Sequence, residues 1–100
     1  MTALPTLKGL DPAGRPTVAV TLRLFATLAR WLPEGARRNE IRLALPAGTT
    51  PAAMIATLDL PVALCALVLI DGVFVPPEER PTRALRDGET LAIWPPVAGG

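Results

Sequence analysis

The first sustained pattern along the chain is VAVTLRLF, where apolar and polar positions alternate so that Val18, Val20, Leu22 and Leu24 share one face. Thr21, Arg23 and Phe25 fall on the other, which predicts a strand with one buried face. The next stretch, ATLARWLPEGARRNE, is interrupted by Pro33 and Gly35 and reads as a helical turn followed by a loop. Alternation returns in EIRLALP, with Ile41, Leu43 and Leu45 inward, and two strands across a loop predict an antiparallel hairpin. At GTTPAAMIATL the period becomes helical: Thr49 or Thr50 is placed to cap, Pro51 suits the first helical position, and Met54, Ile55 and Leu58 form one stripe. The helix is expected to end near Leu60-Pro61, because the residue before a proline is pushed out of the helical region. CALVLI is apolar on both faces, which predicts a central strand with one face under the helix and the other against something else. Asp71-Gly72 supplies a tight turn into a short VFV strand, and the irregular PPEERPTRALRDGE contains a further turn at Asp87-Gly88. TLAIW is the last strand, Leu91 and Ile93 alternating with Ala92 and Trp94, and Pro95-Pro96 ends it sharply.

The order strand, strand, helix, strand, short strand, strand gives a mixed sheet with one helix across one face, a two-layer α+β domain. Residues 1–17 hold Pro5, Pro12, Pro16, Gly9 and Gly14 without a sustained period, and read as a flexible leader outside the core. With 100 residues, half of them hydrophobic, the chain supports one core but no large cleft. Histidine and tyrosine are absent and there is one cysteine, which removes most general bases, metal ligands and covalent nucleophiles. These losses favour a carrier, adaptor or subunit over an enzyme with catalytic side chains of its own. Cys65 has no partner for an internal disulfide and, at the start of an apolar strand, reads as a small hydrophobe. The 10 basic and 9 acidic residues are scattered, so no footprint for nucleic acid or an anionic membrane stands out and proteins are the expected partners. Arg37-Arg38 and Glu78-Glu79 read as solvated loop positions. MTALPTLKGLDPAGRP lacks an apolar run suited to a signal peptide or membrane span, and the expected location is the cytoplasm.

What remains is WPPVAGG, Trp94 to Gly100. Two bare glycines pack nothing and cap nothing, so their use lies in thinness and in the carboxylate beyond them. Trp94, Pro95, Pro96, Val97, Ala98, Gly99 and Gly100, together with LRDGETL at Leu85 to Leu91 and LFATLAR at Leu24 to Arg30, resemble the MoaD/ThiS family of sulfur carriers. The resemblance covers Val18 to Gly100. It implies a ubiquitin-like β-grasp of four to five strands over residues 18–96, with an extended tail over 97–100. It also implies that a ubiquitin-activating-type enzyme uses ATP and magnesium to adenylate the Gly100 carboxylate, after which a sulfide or persulfide donor displaces AMP to leave a thiocarboxylate. The sulfur then passes to a synthase, such as the large subunit of molybdopterin synthase, and the carrier itself holds no metal or prosthetic group.

The residue types suit that chemistry. A terminal carboxylate, with a reference pKa of roughly 3.3 to 3.7, is an anion at neutral pH and must be activated before it can accept a nucleophile. Gly99 and Gly100 carry no Cβ to collide with a narrow channel, and Pro95 and Pro96 hold the tail extended. Phe25 and Trp94 lie opposite the core stripes and are candidates, with Arg86 beside the last turn, for docking the activating enzyme. Three other readings share this fold: a carrier for thiamine or another sulfur-containing metabolite, a ubiquitin-like modifier joined to lysines through the same glycine, and a non-catalytic binding module. Partner enzymes choose the acceptor, so the chain does not encode it.

Overall fold

A computed structural model describes residues 3–96. β1 (Thr17–Leu24) and β2 (Glu40–Pro46) form the antiparallel hairpin that the alternation predicts, in register from Thr17 opposite Pro46 to Arg23 opposite Glu40. The connection holds a six-residue 3-10 helix, Ala26–Trp31, and re-enters the sheet through Arg38 and Asn39, both with positive φ. Asn39 suits that conformation because its side-chain amide donates to the Leu24 carbonyl at 3.0 Å.

α1 (Pro51–Thr57) starts as its cap predicts: the Thr50 hydroxyl oxygen accepts the Ala53 N–H at 3.2 Å, and Pro51 occupies the first turn. Thr49 plays a different part, its hydroxyl donating to the Pro46 carbonyl at 2.7 Å. The helix stops at Thr57 rather than near Leu60. Asp59 turns left-handed at φ 57, its N–H donates to the Ala56 carbonyl, and the Leu60 N–H donates to that of Ile55. This paired closure, with Ile55 and Leu60 both buried, ends the helix before Pro61 can act.

β3 (Leu67–Ile70) is shorter than CALVLI, and Cys65 lies in the connection before it, not at the start of a strand. Its thiol is 3% exposed and donates to the Pro61 carbonyl at 3.5 Å. β4 (Val73–Phe74) follows a two-residue turn in which Asp71 and Gly72 both have positive φ, the geometry that suits the right-handed twist of a hairpin. β5 (Thr90–Trp94) completes a sheet of order β2-β1-β5-β3-β4. β5 is the middle strand, parallel to β1 and antiparallel to β3, so β3 is interior but one place from the centre. The Asp87 carboxylate accepts the Ala19 N–H at 2.7 Å and the Asp71 carboxylate accepts the Thr90 N–H at 2.8 Å, which fixes β5 against both neighbours.

Val20, Leu22, Leu24, Leu43, Leu45, Met54, Leu91 and Ile93 are fully buried and form the core under α1. Residues 1–17 are not all outside it: Leu7 is 6% exposed and belongs to the core cluster, with Leu10 packed against it. The reason is the free edge of β2, where the Pro5 carbonyl accepts the Ala44 N–H at 2.9 Å and the leader covers backbone that would otherwise lack a partner. Arg80, which the sequence pattern does not single out, is 8% exposed and binds three backbone carbonyls, those of Val75, Cys65 and Ala66 at 3.0, 2.9 and 3.4 Å. It ties the start of β3 to the chain leaving β4.

Candidate functional site

Each strand presents one row of side chains to α1 and the other to the opposite side of the sheet. On that opposite side the register aligns Arg23 with Ala92, Trp94 with Leu67, and Leu69 with Phe74. Phe25, just past β1, is held in line because its N–H donates to the Ile93 carbonyl at 3.2 Å. The Phe25 and Trp94 rings stack in parallel, 4.1 Å between centroids with 1° between their planes. Arg23 lays its guanidinium over Phe25, 4.9 Å from the ring centre. On the other side Leu67 and Phe74 continue the apolar surface at 39% and 49% exposure. This open face therefore carries an apolar strip next to a guanidinium, the composition of a protein-docking surface.

The strip adjoins the root of the tail. The Trp94 carbonyl accepts the Ala66 N–H at 3.1 Å, and Pro95, which has no N–H, ends the ladder there. Pro95 is half-buried and Pro96 exposed, while Val97, Ala98, Gly99 and Gly100 lie outside the described residues. Arg86 stands apart from Phe25 and Trp94. It belongs to the turn before β5, at the far end of a strand about 13 Å long from Thr90 to Trp94, where its backbone N–H donates to the Glu89 carboxylate. Leu67 and Phe74 were missed as site residues. The signal was present: a two-residue turn at Asp71-Gly72 places Phe74 opposite Leu69, and CALVLI is apolar on the side away from the helix.

The groups whose ionisation the fold shifts lie outside the strip and hold structure. Arg83 grips Glu89 with two nitrogens at 3.1 and 2.6 Å, and this hydrogen bonding, with help from the Arg86 N–H, holds the Glu89 carboxyl below its ordinary range. The same bond raises Arg83. Burial pushes the Cys65 thiol up, against the pull of the nearby Arg80 charge, so the thiol is protonated and unreactive at neutral pH. Among the described residues, no three His, Cys, Asp or Glu side chains gather to hold a metal ion, and no helix is long and apolar enough to cross a membrane.

A mixed five-stranded sheet with a parallel β1/β5 pair and one main helix across one face is the ubiquitin-like β-grasp arrangement. Residues 22–100 match the ThiS family, and the chain belongs to that family of sulfur carriers and ubiquitin-like modifiers. Among solved structures it is similar to the Haloferax volcanii HVO 2177 protein, with 26% identity and a TM-score of 0.66 over 84% of this chain and 88% of that one. It is also similar to small archaeal modifier protein 1 from Methanosarcina acetivorans, with 24% identity and a TM-score of 0.56 over 85% of this chain and 99% of the other, a likeness of fold. No curated protein matches this chain.

Proposed function

We propose that this protein is a cytoplasmic sulfur carrier whose Gly100 carboxylate is adenylated by a ubiquitin-activating-type enzyme and converted to a thiocarboxylate. The observation that carries this reading is the family match running through Gly100, joined to an aromatic docking strip at the root of the same tail. Activation divides the labour. The partner enzyme supplies ATP, magnesium and the general chemistry, while this chain supplies a docking face and a carboxylate on a thin extended arm. Attack of the carboxylate on the α-phosphorus of ATP expels pyrophosphate and forms the acyl adenylate. Sulfide, or a persulfide followed by thiol cleavage, then displaces AMP and leaves sulfur on the carbonyl carbon. Phe25, Trp94, Leu67 and Phe74 dock the carrier, Pro95 and Pro96 aim the tail, and Val97, Ala98, Gly99 and Gly100 thread it.

We infer further that the sulfur goes to molybdopterin through the large subunit of a molybdopterin synthase, because WPPVAGG, LRDGETL and LFATLAR resemble the MoaD/ThiS family, to which the small subunit of that synthase belongs. The test is the intact mass of the chain after incubation with the adenylating enzyme, ATP, magnesium and sulfide, beside a chain lacking Gly100. A gain equal to the difference between sulfur and oxygen on the full chain alone is the expected result. An unchanged mass with a demonstrably active enzyme overturns the carrier reading, and attachment to lysines of other proteins replaces it with the modifier reading. Transfer of the sulfur to a thiazole synthase instead of the molybdopterin enzyme would overturn the pathway alone.

A further inference from the structure

Charge is divided unevenly along this chain. Residues 1–50 carry seven basic and three acidic side chains, and residues 51–100 carry three basic and six acidic. The fold then brings four of the first half's arginines to β2, the loop that enters it and the strand beside it, at one margin of the sheet. Arg37 and Arg38 end the loop that enters β2, and with Arg42 they line a surface depression of about 610 Å³. Arg42 lies opposite Thr21, on the same side of the sheet as Arg23. All three are exposed, and Arg23 is half-buried beside them. Among the described residues the carboxylate paired with these arginines is that of Glu40, 3.5 Å from the Arg23 Nε. It does not satisfy that nitrogen, which is shielded from solvent and has no hydrogen-bond partner among the described residues.

Four guanidiniums beside one carboxylate leave this margin with an excess of positive charge. It is also continuous with the docking strip, because Arg23 lies over Phe25 and Phe25 over Trp94. We propose that the arginine margin Arg23, Arg37, Arg38 and Arg42 recognises an acidic strip on the protein that docks against the open face. This rests on the reading of that face as a docking surface and adds the chemistry of the partner. Exposed arginines act over about a Debye length, roughly 8–10 Å at ordinary salt, and so speed encounter more than they prolong the complex. Arg23 differs: its guanidinium lies 4.9 Å over Phe25 while 42% of the side chain stays exposed, so it offers a partner carboxylate a charge held in place beside the aromatic stack. A phosphate backbone would satisfy the arginines but leave Leu67 and Phe74 exposed, so the occupant is a protein with an acidic strip beside an apolar patch.

The test is stopped-flow association with the adenylating enzyme at low and high salt. Arg37→Glu combined with Arg38→Glu, both exposed loop positions, is expected to lower the association rate about tenfold at low salt. Its dissociation rate should stay within about twofold, and the difference should vanish at high salt. Phe25→Ala, in the same assay, reports on the docking face through a faster dissociation. An unaltered association rate for the double reversal, with Phe25→Ala still dissociating faster, overturns this inference and leaves the docking face standing. No effect of either variant overturns both. A low-salt dimer in sedimentation that the double reversal abolishes assigns the margin to a second copy of this chain, and tight salt-sensitive binding to a single-stranded oligonucleotide assigns it to nucleic acid. Either result overturns the proposal.

Discussion

The two sides of this sheet are built from the same five strands, yet they differ in composition and in cover. Toward α1, Leu22, Leu24, Leu43, Leu91 and Ile93 have no solvent exposure. On the opposite side Phe25 and Trp94 shelter mainly each other, and Leu67 and Phe74 stay open to solvent. Burial on the inner side drives folding, whereas the apolar side chains left open on the outer side add little to the stability of the free chain. The two sides should therefore answer mutation in different currencies, the inner in stability and the outer in association.

The largest expected effect comes from the inner side. Leu22→Ala deletes a fully buried side chain in the strand that pairs with both β2 and β5, and should cost about 2–5 kcal/mol in urea unfolding followed by tryptophan fluorescence. A loss below about 1 kcal/mol would mean that the inner side relaxes too easily to carry the fold.

A smaller effect belongs to the turn that positions β5 for both sides at once. Glu89→Gln weakens the grip of Arg83 and should cost about 1 kcal/mol at neutral pH. Because Arg83 lowers the Glu89 carboxyl in the folded state, the native carboxylate contributes fully above the ordinary carboxylate range, and that contribution disappears as the pH falls through the lowered value. Unfolding at a series of pH values should show the two proteins converging on the acid side. A gap that widens toward acid would have the wrong sign for this pair.

The smallest effect on stability is expected on the outer side. Phe74→Ser removes an exposed ring and should change unfolding by no more than about 0.5 kcal/mol. It should nonetheless slow adenylation of the chain at limiting enzyme, read by intact mass. A stability loss above about 1.5 kcal/mol would collapse the contrast between the two sides, making the outer strip a structural element.

Much of the candidate site was legible as residues but not as an arrangement. Trp94 and Phe25 could be assigned to the outer side by alternation alone, and Phe74 could have joined them by counting from the turn at Asp71-Gly72. Their stacking could not, because it depends on β1 and β5 lying parallel and adjacent, a pairing between distant parts of the chain. Arg86 drew attention for its nearness in sequence to the last strand, but a strand's length separates it from Trp94. Arg80 gave no signal at all, since an arginine among prolines and glutamates reads as surface until three carbonyls converge on it.

The amino-acid order by itself determined the side each strand residue faces, a threonine cap at Thr49 or Thr50 and the Asp71-Gly72 turn, because a period of two, a capping hydroxyl and a positive-φ dipeptide are all local requirements, and the fold chose Thr50. Tertiary structure alone decided that Leu7 enters the core, that the helix closes at Thr57 with Ile55 and Leu60 buried, and that the Arg23 guanidinium lies over Phe25 where that ring stacks on Trp94. Those outcomes depend on which free edge, apolar surface or charge lies near in space, and contacts between distant segments form only when the closed sheet supplies enough burial to offset the entropy of bringing them together.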